Sequence, residues 1–116
     1  MTVQQRLGPG PYTLDPECQL PPRLIELFLR SAPGQVQLLA DACGARDAEA
    51  ARAQAHKLKG SLYAAGATHL AEDIEALRQL LASGSWSAVE PQLQGIRREF
   101  AGVLAQLQAQ LTGAGA

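Results

Sequence analysis

The run His56-Lys57-Leu58-Lys59-Gly60 brings a nucleophile, a cation and a glycine within about one turn of each other in a predicted helix. Imidazole is largely neutral near physiological pH, so its ring nitrogen can attack an electrophilic phosphorus. The ammonium of Lys59 can stabilise the anion that results. Gly60 costs a helix about 0.5–1 kcal/mol relative to alanine, so a glycine in the helix interior needs a reason. These residue types suit the transfer of a dianionic group between proteins.

Helical geometry predicts that His56 lies outside the core. The apolar residues of its helix form one stripe, which consists of Ala51, Ala55, Leu58, Leu62 and Ala65. At 100° per residue, His56 lies about 140° from the centre of that stripe, Gly60 about 180° and Tyr63 about 120°. Lys59 falls at the border of the stripe. An ordinary solvated helix face has the same pattern, so geometry alone leaves that alternative open.

Three further segments have helical periodicity, and together the four predict an all-α, antiparallel four-helix bundle. Arg23 to Ala45 is predicted to be one long helix bent at Pro33, because its apolar positions keep their phase across the proline. The three remaining apolar stripes are Ile25, Phe28, Ala32, Val36, Leu39 and Cys43; Leu70, Ile74, Leu77 and Leu81; and Val89, Leu93, Ile96, Phe100, Val103 and Leu107.

The predicted boundaries rest on capping residues and glycines. Asp47 and Thr68 are predicted to cap the helices that follow them, and Gly44 and Gly66 to end the helices that precede them. Asp15-Pro16-Glu17 predicts a short extra N-terminal helix. Residues 1–12 are expected to be a flexible segment, 13–112 the bundle, and 113–116 a frayed C-terminus.

Composition excludes several classes of function. The formal net charge of −1 provides no general attraction to nucleic acid or to an anionic membrane. There is no secretion signal and no run of about 20 apolar residues, so we expect a cytoplasmic protein. The two cysteines, Cys18 and Cys43, are expected to be reduced, semi-buried small hydrophobes. His56 and His69 are not at metal-ligand spacing, so we expect no metal site.

The run His56-Lys57-Leu58-Lys59-Gly60-Ser61, followed by Gly66-Ala67 and Leu70, resembles the signature of histidine-containing phosphotransfer (HPt) domains. The resemblance extends upstream to Leu24-Ile25-Glu26-Leu27-Phe28-Leu29 and Ala32-Pro33. Downstream it extends to Trp86 and Arg97-Arg98-Glu99-Phe100. It therefore covers roughly residues 14 to 111.

The resemblance implies that His56 accepts phosphate from the aspartate of a response-regulator receiver domain, through its outer ring nitrogen, and returns it to another receiver. Lys59 then matches the lysine that steadies the phosphate, and Gly60 the glycine that keeps the histidine accessible. Tyr63 departs from the family, which commonly has a smaller residue there. Leu62 also departs from it, since serine is common at that position.

Tyr63, Leu24 and Leu27 are candidate partner-binding residues. Leu24 and Leu27, like Leu38, lie off the main stripe of the long helix, so they either contact a receiver or pack the short first helix. Tyr63 either joins the docking surface, hydrogen-bonds the phosphate, or lies over the bundle surface. His69 lacks a Lys-Gly context and is expected to be an exposed polar residue.

The expected partners are receiver domains and a hybrid sensor histidine kinase, and the expected state is a monomer. The chain has no glycine loop for ATP, so we expect a phosphoryl carrier rather than an enzyme. No cofactor of its own is expected, since the Mg²⁺ that assists transfer should lie on the receiver. Two alternatives stay open: a domain excised from a larger hybrid or chemotaxis-type kinase, and a helical adaptor that carries no phosphate.

Overall fold

The computed structural model describes Leu14 and residues 20–113 of the chain. These residues form four helices, α1 (Pro22–Gly44), α2 (Ala48–Ala64), α3 (Thr68–Ser83) and α4 (Trp86–Gly113), and they contain no strand. Each helix packs against the next, and α1 also packs against α4. Because the connections are short, neighbouring helices are antiparallel. The predicted all-α four-helix bundle is confirmed. The predicted extra helix was to start at residues 15–17, which lie outside the described residues. Residues 1–12 and 114–116 also lie outside them.

The core is built from the four predicted apolar stripes, and every residue of them is buried. Leu14, Ala67 and Ala71 add to the same cluster. Full burial of one leucine or isoleucine side chain is worth about 1.5–3 kcal/mol, so these stripes fix which face of each helix points inward. Cys43 is a buried member of the core, and burial raises the pKa of its thiol. Cys18 lies outside the described residues.

Pro33 lies inside α1 without dividing it. The helix is continuous from Pro22 to Gly44, and apolar residues on both sides of the proline, Ala32 and Val36, are buried. Pro33 itself is exposed, and as a proline it donates no helical hydrogen bond. The prediction of one long helix, made from the unbroken phase of the apolar positions, is confirmed.

The connections correct one detail of the predicted boundaries. Asp47 caps α2 as predicted, since its Oδ1 accepts a hydrogen bond from the Ala50 N–H at 3.1 Å. Thr68 is the first residue of α3, and the cap position before it is Ala67, so the predicted threonine cap is wrong by one residue. Gly44 is the last residue of α1, but the left-handed backbone belongs to Arg46, with φ of 56°.

The short connection between α2 and α3 makes them adjacent and antiparallel, and this arrangement positions the site. Gly66, with φ of 80°, supplies the left-handed residue of that connection. On the other side α2 packs against α1. None of the described helices is both long enough and apolar enough to cross a membrane.

Candidate functional site

His56 is exposed at the middle of α2. Its neighbours Ala55 and Leu58 have no solvent-accessible surface, and they hold α2 in the rotation that turns the imidazole outward. Arg52 precedes His56 by four residues and Lys59 follows it by three, so all three side chains lie on one side of the helix. His56 is therefore flanked by a cation on each side along α2.

Lys59 is held by a carboxylate from the neighbouring helix. Its Nζ donates to Oε1 of Glu75 on α3 at 2.8 Å. The same oxygen accepts a hydrogen bond from Nη1 of Arg78 at 2.7 Å, and the other oxygen accepts one from Nε2 of Gln79 at 3.3 Å. One carboxylate thus binds two cations and an amide. These donors lower the pKa of Glu75 to about 2, with the hydrogen bond from Lys59 as the largest cause.

Arg78 lies level with His56 across the α2–α3 boundary. In antiparallel helices, three residues back along one helix cover the same distance as three residues forward along the other. From the Lys59–Glu75 contact, this step leads back to His56 on α2 and forward to Arg78 on α3. Arg52 and Ala82 line one open groove together, which agrees with this register. Its other lining residues are Glu75, Arg78, Gln79 and Ser83.

The charges around this boundary have a positive excess. Arg52, Lys59 and Arg78 contribute three cations, and Glu75 contributes one carboxylate. A dianionic group attached to His56 would therefore lie in a favourable field, and its interaction with partly buried cations is screened less than at an open surface.

Gly60 is not required by the packing of the domain. A methyl group built at its Cα would meet no atom within 4 Å apart from its chain neighbours and the backbone of its own helix, and its backbone does not have a positive φ. Alanine would thus fit there and would favour the helix by about 0.5–1 kcal/mol. The space beside His56 is consequently left open toward solvent rather than filled by the chain.

The candidate partner-binding residues lie at different heights along the bundle. Ser61 of α2 donates to Oε1 of Gln35 on α1 at 3.4 Å, and this contact marks the register of the two helices. Leu38 is then level with residue 58, about 3 Å from His56 along the axis. Leu27 lies eleven residues before Leu38, beyond the level at which α2 ends and about 20 Å from His56 along the axis at 1.5 Å per residue, and Leu24 lies farther still. All three leucines are exposed.

Tyr63 lies two turns beyond His56 on the same side of α2 and is 47% exposed. It and Leu38 are therefore nearer to His56 than Leu24 and Leu27 are. The structure brings together His56, Lys59, Gly60 and Tyr63 on one helix, and it leaves Leu24 and Leu27 toward the far end of the bundle.

His69, at the start of α3, has different neighbours. Its Nδ1 lies 3.5 Å from Oδ2 of Asp73, and Glu99 of α4 completes a group whose ligand-type atoms lie within 4.8 Å of one another. Burial and the nearby Asp73 raise the pKa of Glu99 to about 8, while Arg98 opposes the shift. Glu99 therefore keeps its proton to a higher pH than an ordinary glutamate, and it can donate that proton to Asp73. His69 is exposed, as expected.

Sequence reasoning missed Glu75, Arg78 and the Asp73–Glu99 pair. Each depends on how two helices are rotated and shifted against each other, which the periodicity of a single helix does not reveal. One signal was available for Arg78, which lies about 80° from Leu70 on the wheel of α3, at the border of its apolar stripe, as Lys59 does on α2. Glu75, at about 140°, lies on the outward face and gives no such signal.

A family model described as Hpt domain matches residues 23–113, which is most of the chain. Searches of curated proteins and of solved structures found no match. Hpt domains carry phosphoryl groups on a histidine in phosphorelays, where they interact with receiver domains and kinases and have no catalytic activity of their own. The chain belongs to the HPt domain family.

Proposed function

We propose that His56 is the phosphoacceptor of this domain, which takes a phosphoryl group from the aspartate of one receiver domain and passes it to the aspartate of another. The observation that carries this proposal is the arrangement on α2. An exposed histidine has a cation within one turn on each side, Arg52 and Lys59, and next to it stands Gly60, which packing does not require.

The transfer is a displacement at phosphorus. The outer ring nitrogen of His56 forms the new N–P bond, and the O–P bond of the aspartyl phosphate breaks, so that its electron pair leaves with the carboxylate. The ring N–H proton is released to solvent. In the return step a receiver carboxylate attacks the phosphorus, the N–P bond breaks, and the imidazole regains a proton.

Lys59 and Gly60 have separate roles in this proposal. Lys59 stabilises the charge of the phosphoryl group once it is on His56. Gly60 lets the receiver's backbone and phosphorylated aspartate approach the ring without meeting a side chain. Only the first role acts on the bonded phosphate, whereas the second acts on the approach of a macromolecule.

His69 is unsuited to the same role. An oxygen of the Asp73 carboxylate and an oxygen of the Glu99 carboxyl group lie within 4.8 Å of its ligand-type atom. A phosphoryl dianion on that ring would meet a carboxylate, and like charges at such distances repel each other. His56 instead faces an excess of cations.

The receiver docks over the part of α2 around His56, with Tyr63 and Leu38 as its apolar contacts. Both are exposed, and the register places them nearer to His56 than Leu24 and Leu27. Leu24 and Leu27 remain candidates for a contact farther along α1. The Mg²⁺ and the acidic pocket that assist the transfer belong to the receiver, and a hybrid sensor histidine kinase supplies the first phosphorylated receiver.

A transfer assay tests this proposal. Purified receiver domains carrying radiolabelled phosphate are mixed with the wild-type chain, the His56→Gln variant and the matched control His69→Gln. We expect label on the wild-type chain and on His69→Gln, and none on His56→Gln. Label that persists on the His56→Gln chain contradicts the assignment of the acceptor.

A further inference from the structure

We propose that Glu75 is a place-holding counter-ion, and that Lys59 and Arg78 exchange its carboxylate for the phosphoryl group when His56 is phosphorylated. The inference rests on the proposed function and adds two residues to it. Arg78 becomes a second phosphate-binding cation, and Glu75 becomes a positioning residue that competes with the phosphate for both cations.

In the unphosphorylated state Glu75 binds both Lys59 and Arg78. Lys59 Nζ and Arg78 Nη1 lie 2.8 Å and 2.7 Å from the same oxygen of Glu75. Without that carboxylate, two like charges would face each other across the α2–α3 boundary at partly buried positions, where the Lys59 and Arg78 side chains are 23% and 25% exposed. Glu75 therefore holds both cations in place while His56 carries no phosphate.

Lys59 and Arg78 can both reach a phosphoryl group on His56. Arg78 is level with His56 across the boundary, and Lys59 is one turn from His56 on the same side of α2. Both side chains have long flexible stems, so rotation about side-chain bonds can turn their charged ends from Glu75 toward the imidazole without moving either helix.

A phosphoryl group is a stronger partner for Lys59 and Arg78 than Glu75 is. Glu75 offers one negative charge, whereas a phosphoryl group offers close to two and has three acceptor oxygens. Arg78 also has unused capacity, because its Nε is buried and has no hydrogen-bond partner among the described residues. A guanidinium that turned toward a phosphoryl group could use its fork of donors on two of the oxygens. The exchange thus replaces a shared single-charge contact with stronger ones.

The competition has a consequence for the carrier. Every contact that Lys59 and Arg78 make with Glu75 is one that they do not make with the phosphate. Glu75 therefore weakens the hold of the domain on its phosphoryl group, and it keeps phosphorylated His56 reactive toward the next receiver or toward water.

The test measures the lifetime of phosphorylated His56 without a partner protein. The wild-type chain, Glu75→Gln and the control Glu72→Gln are phosphorylated with phosphoramidate, the reagent is removed, and loss of phosphohistidine is followed by ³¹P NMR. Glu72 is exposed on the same helix, one turn from Glu75. Its replacement by glutamine changes the net charge by the same amount. Thermal unfolding of each variant checks the fold.

We expect Glu75→Gln to lengthen the lifetime by about two- to fivefold, the size expected for a partly exposed ion pair, and Glu72→Gln to leave it nearly unchanged. Equal effects of the two variants would mean that only net charge matters, and they would overturn the inference. So would an unchanged or shorter lifetime for Glu75→Gln. No phosphohistidine at His56 in the wild-type chain, by this reagent or from a receiver, would overturn the proposed function and the inference with it.

A double-mutant cycle separates the contact from a general effect on the fold. In a Lys59→Met, Arg78→Met background, Glu75 has no cation to hold, so the additional Glu75→Gln change is expected to have no effect on the lifetime. If Glu75→Gln lengthens the lifetime equally in both backgrounds, the effect does not pass through Lys59 and Arg78, and the exchange is contradicted.

Discussion

The two sides of α3 have opposite electrostatic settings, and each side has one carboxyl group and one histidine to compare. Toward α2, Glu75 binds Lys59 and Arg78, and its pKa falls to about 2. Toward α4, Glu99 is half-buried beside Asp73, and its pKa rises to about 8. His56 belongs to the first side and His69 to the second.

This difference shows why two histidines of one small domain are not interchangeable. The residue type is the same and both side chains are exposed. The side toward α2 has an excess of cations, and the side toward α4 has carboxylates that need a proton to lie close together. A phosphoryl dianion is stabilised by the first setting and repelled by the second.

The largest expected effect comes from placing a second carboxylate on the α2 side of α3, so that it resembles the α4 side. Arg78→Glu replaces a cation level with His56 by a second carboxylate beside Glu75. We expect phosphorylated His56 to be lost about tenfold faster, which corresponds to roughly 1.4 kcal/mol. The matched control is Arg97→Glu on α4, an exposed site with the same change in charge.

Phosphohistidine lifetime measured by ³¹P NMR checks this prediction, with thermal unfolding as the check of the fold. An equal loss in Arg97→Glu would show that net charge, rather than the position of Arg78, sets the lifetime.

Next in size is the pH dependence of stability, which has opposite signs on the two sides. Glu99 has a folded pKa of about 8 against an ordinary value of 4.5. The unfolded chain therefore loses its proton first as pH rises, so the Glu99 contribution to stability is full below pH 4.5 and declines up to about pH 8. We expect Glu99→Gln to flatten this alkaline decline in a series of thermal unfolding measurements.

Glu75 provides the internal comparison. Its folded pKa of about 2 lies below the ordinary 4.5, so its contribution is present above pH 4.5 and is lost as pH falls toward 2. Glu75→Gln should flatten the acid side of the stability curve and leave the alkaline side unchanged. If each variant flattened both sides, the two carboxylates would not have the separate environments described above.

The smallest effect concerns Gly60, which tests whether the open space beside His56 serves a partner. Gly60→Ala should stabilise the chain by about 0.5–1 kcal/mol, since the methyl group meets no atom within 4 Å. Gly66→Ala is the contrasting variant, and it should destabilise the chain because Gly66 has φ of 80°. Denaturant unfolding measures both changes.

A larger residue at the same position separates access from chemistry. Gly60→Gln should slow transfer from a receiver while leaving phosphorylation by phosphoramidate nearly unchanged, because only the protein donor needs the open space. Equal transfer rates from the receiver to wild type and to Gly60→Gln would contradict the role of this glycine.

The sequence was sufficient to predict much of the fold, because each helix has a clear apolar period. The continuity of α1 through Pro33 followed from apolar residues that keep their phase, and the start of α2 followed from the Asp47 cap. Thr68 was placed one residue outside its actual position because threonine is a favourable cap and Ala67 is not.

The site was only partly predictable. The exposure of His56 follows from the rotation of α2, which its own apolar stripe sets. The pairing of Lys59 with Glu75, and the level of Arg78 relative to His56, depend on the register between two helices. No local pattern in either helix determines that register, since it results from the packing of the whole core.

The central claim is that the surroundings select His56 over His69 as the phosphoacceptor. The most direct measurement is to phosphorylate the wild-type chain with phosphoramidate and to locate the phosphoryl group by mass spectrometry of its peptides. Both histidines are exposed to the same small donor, so no partner surface influences the choice. We predict phosphate on His56 and essentially none on His69, whereas equal phosphorylation of the two would contradict the account.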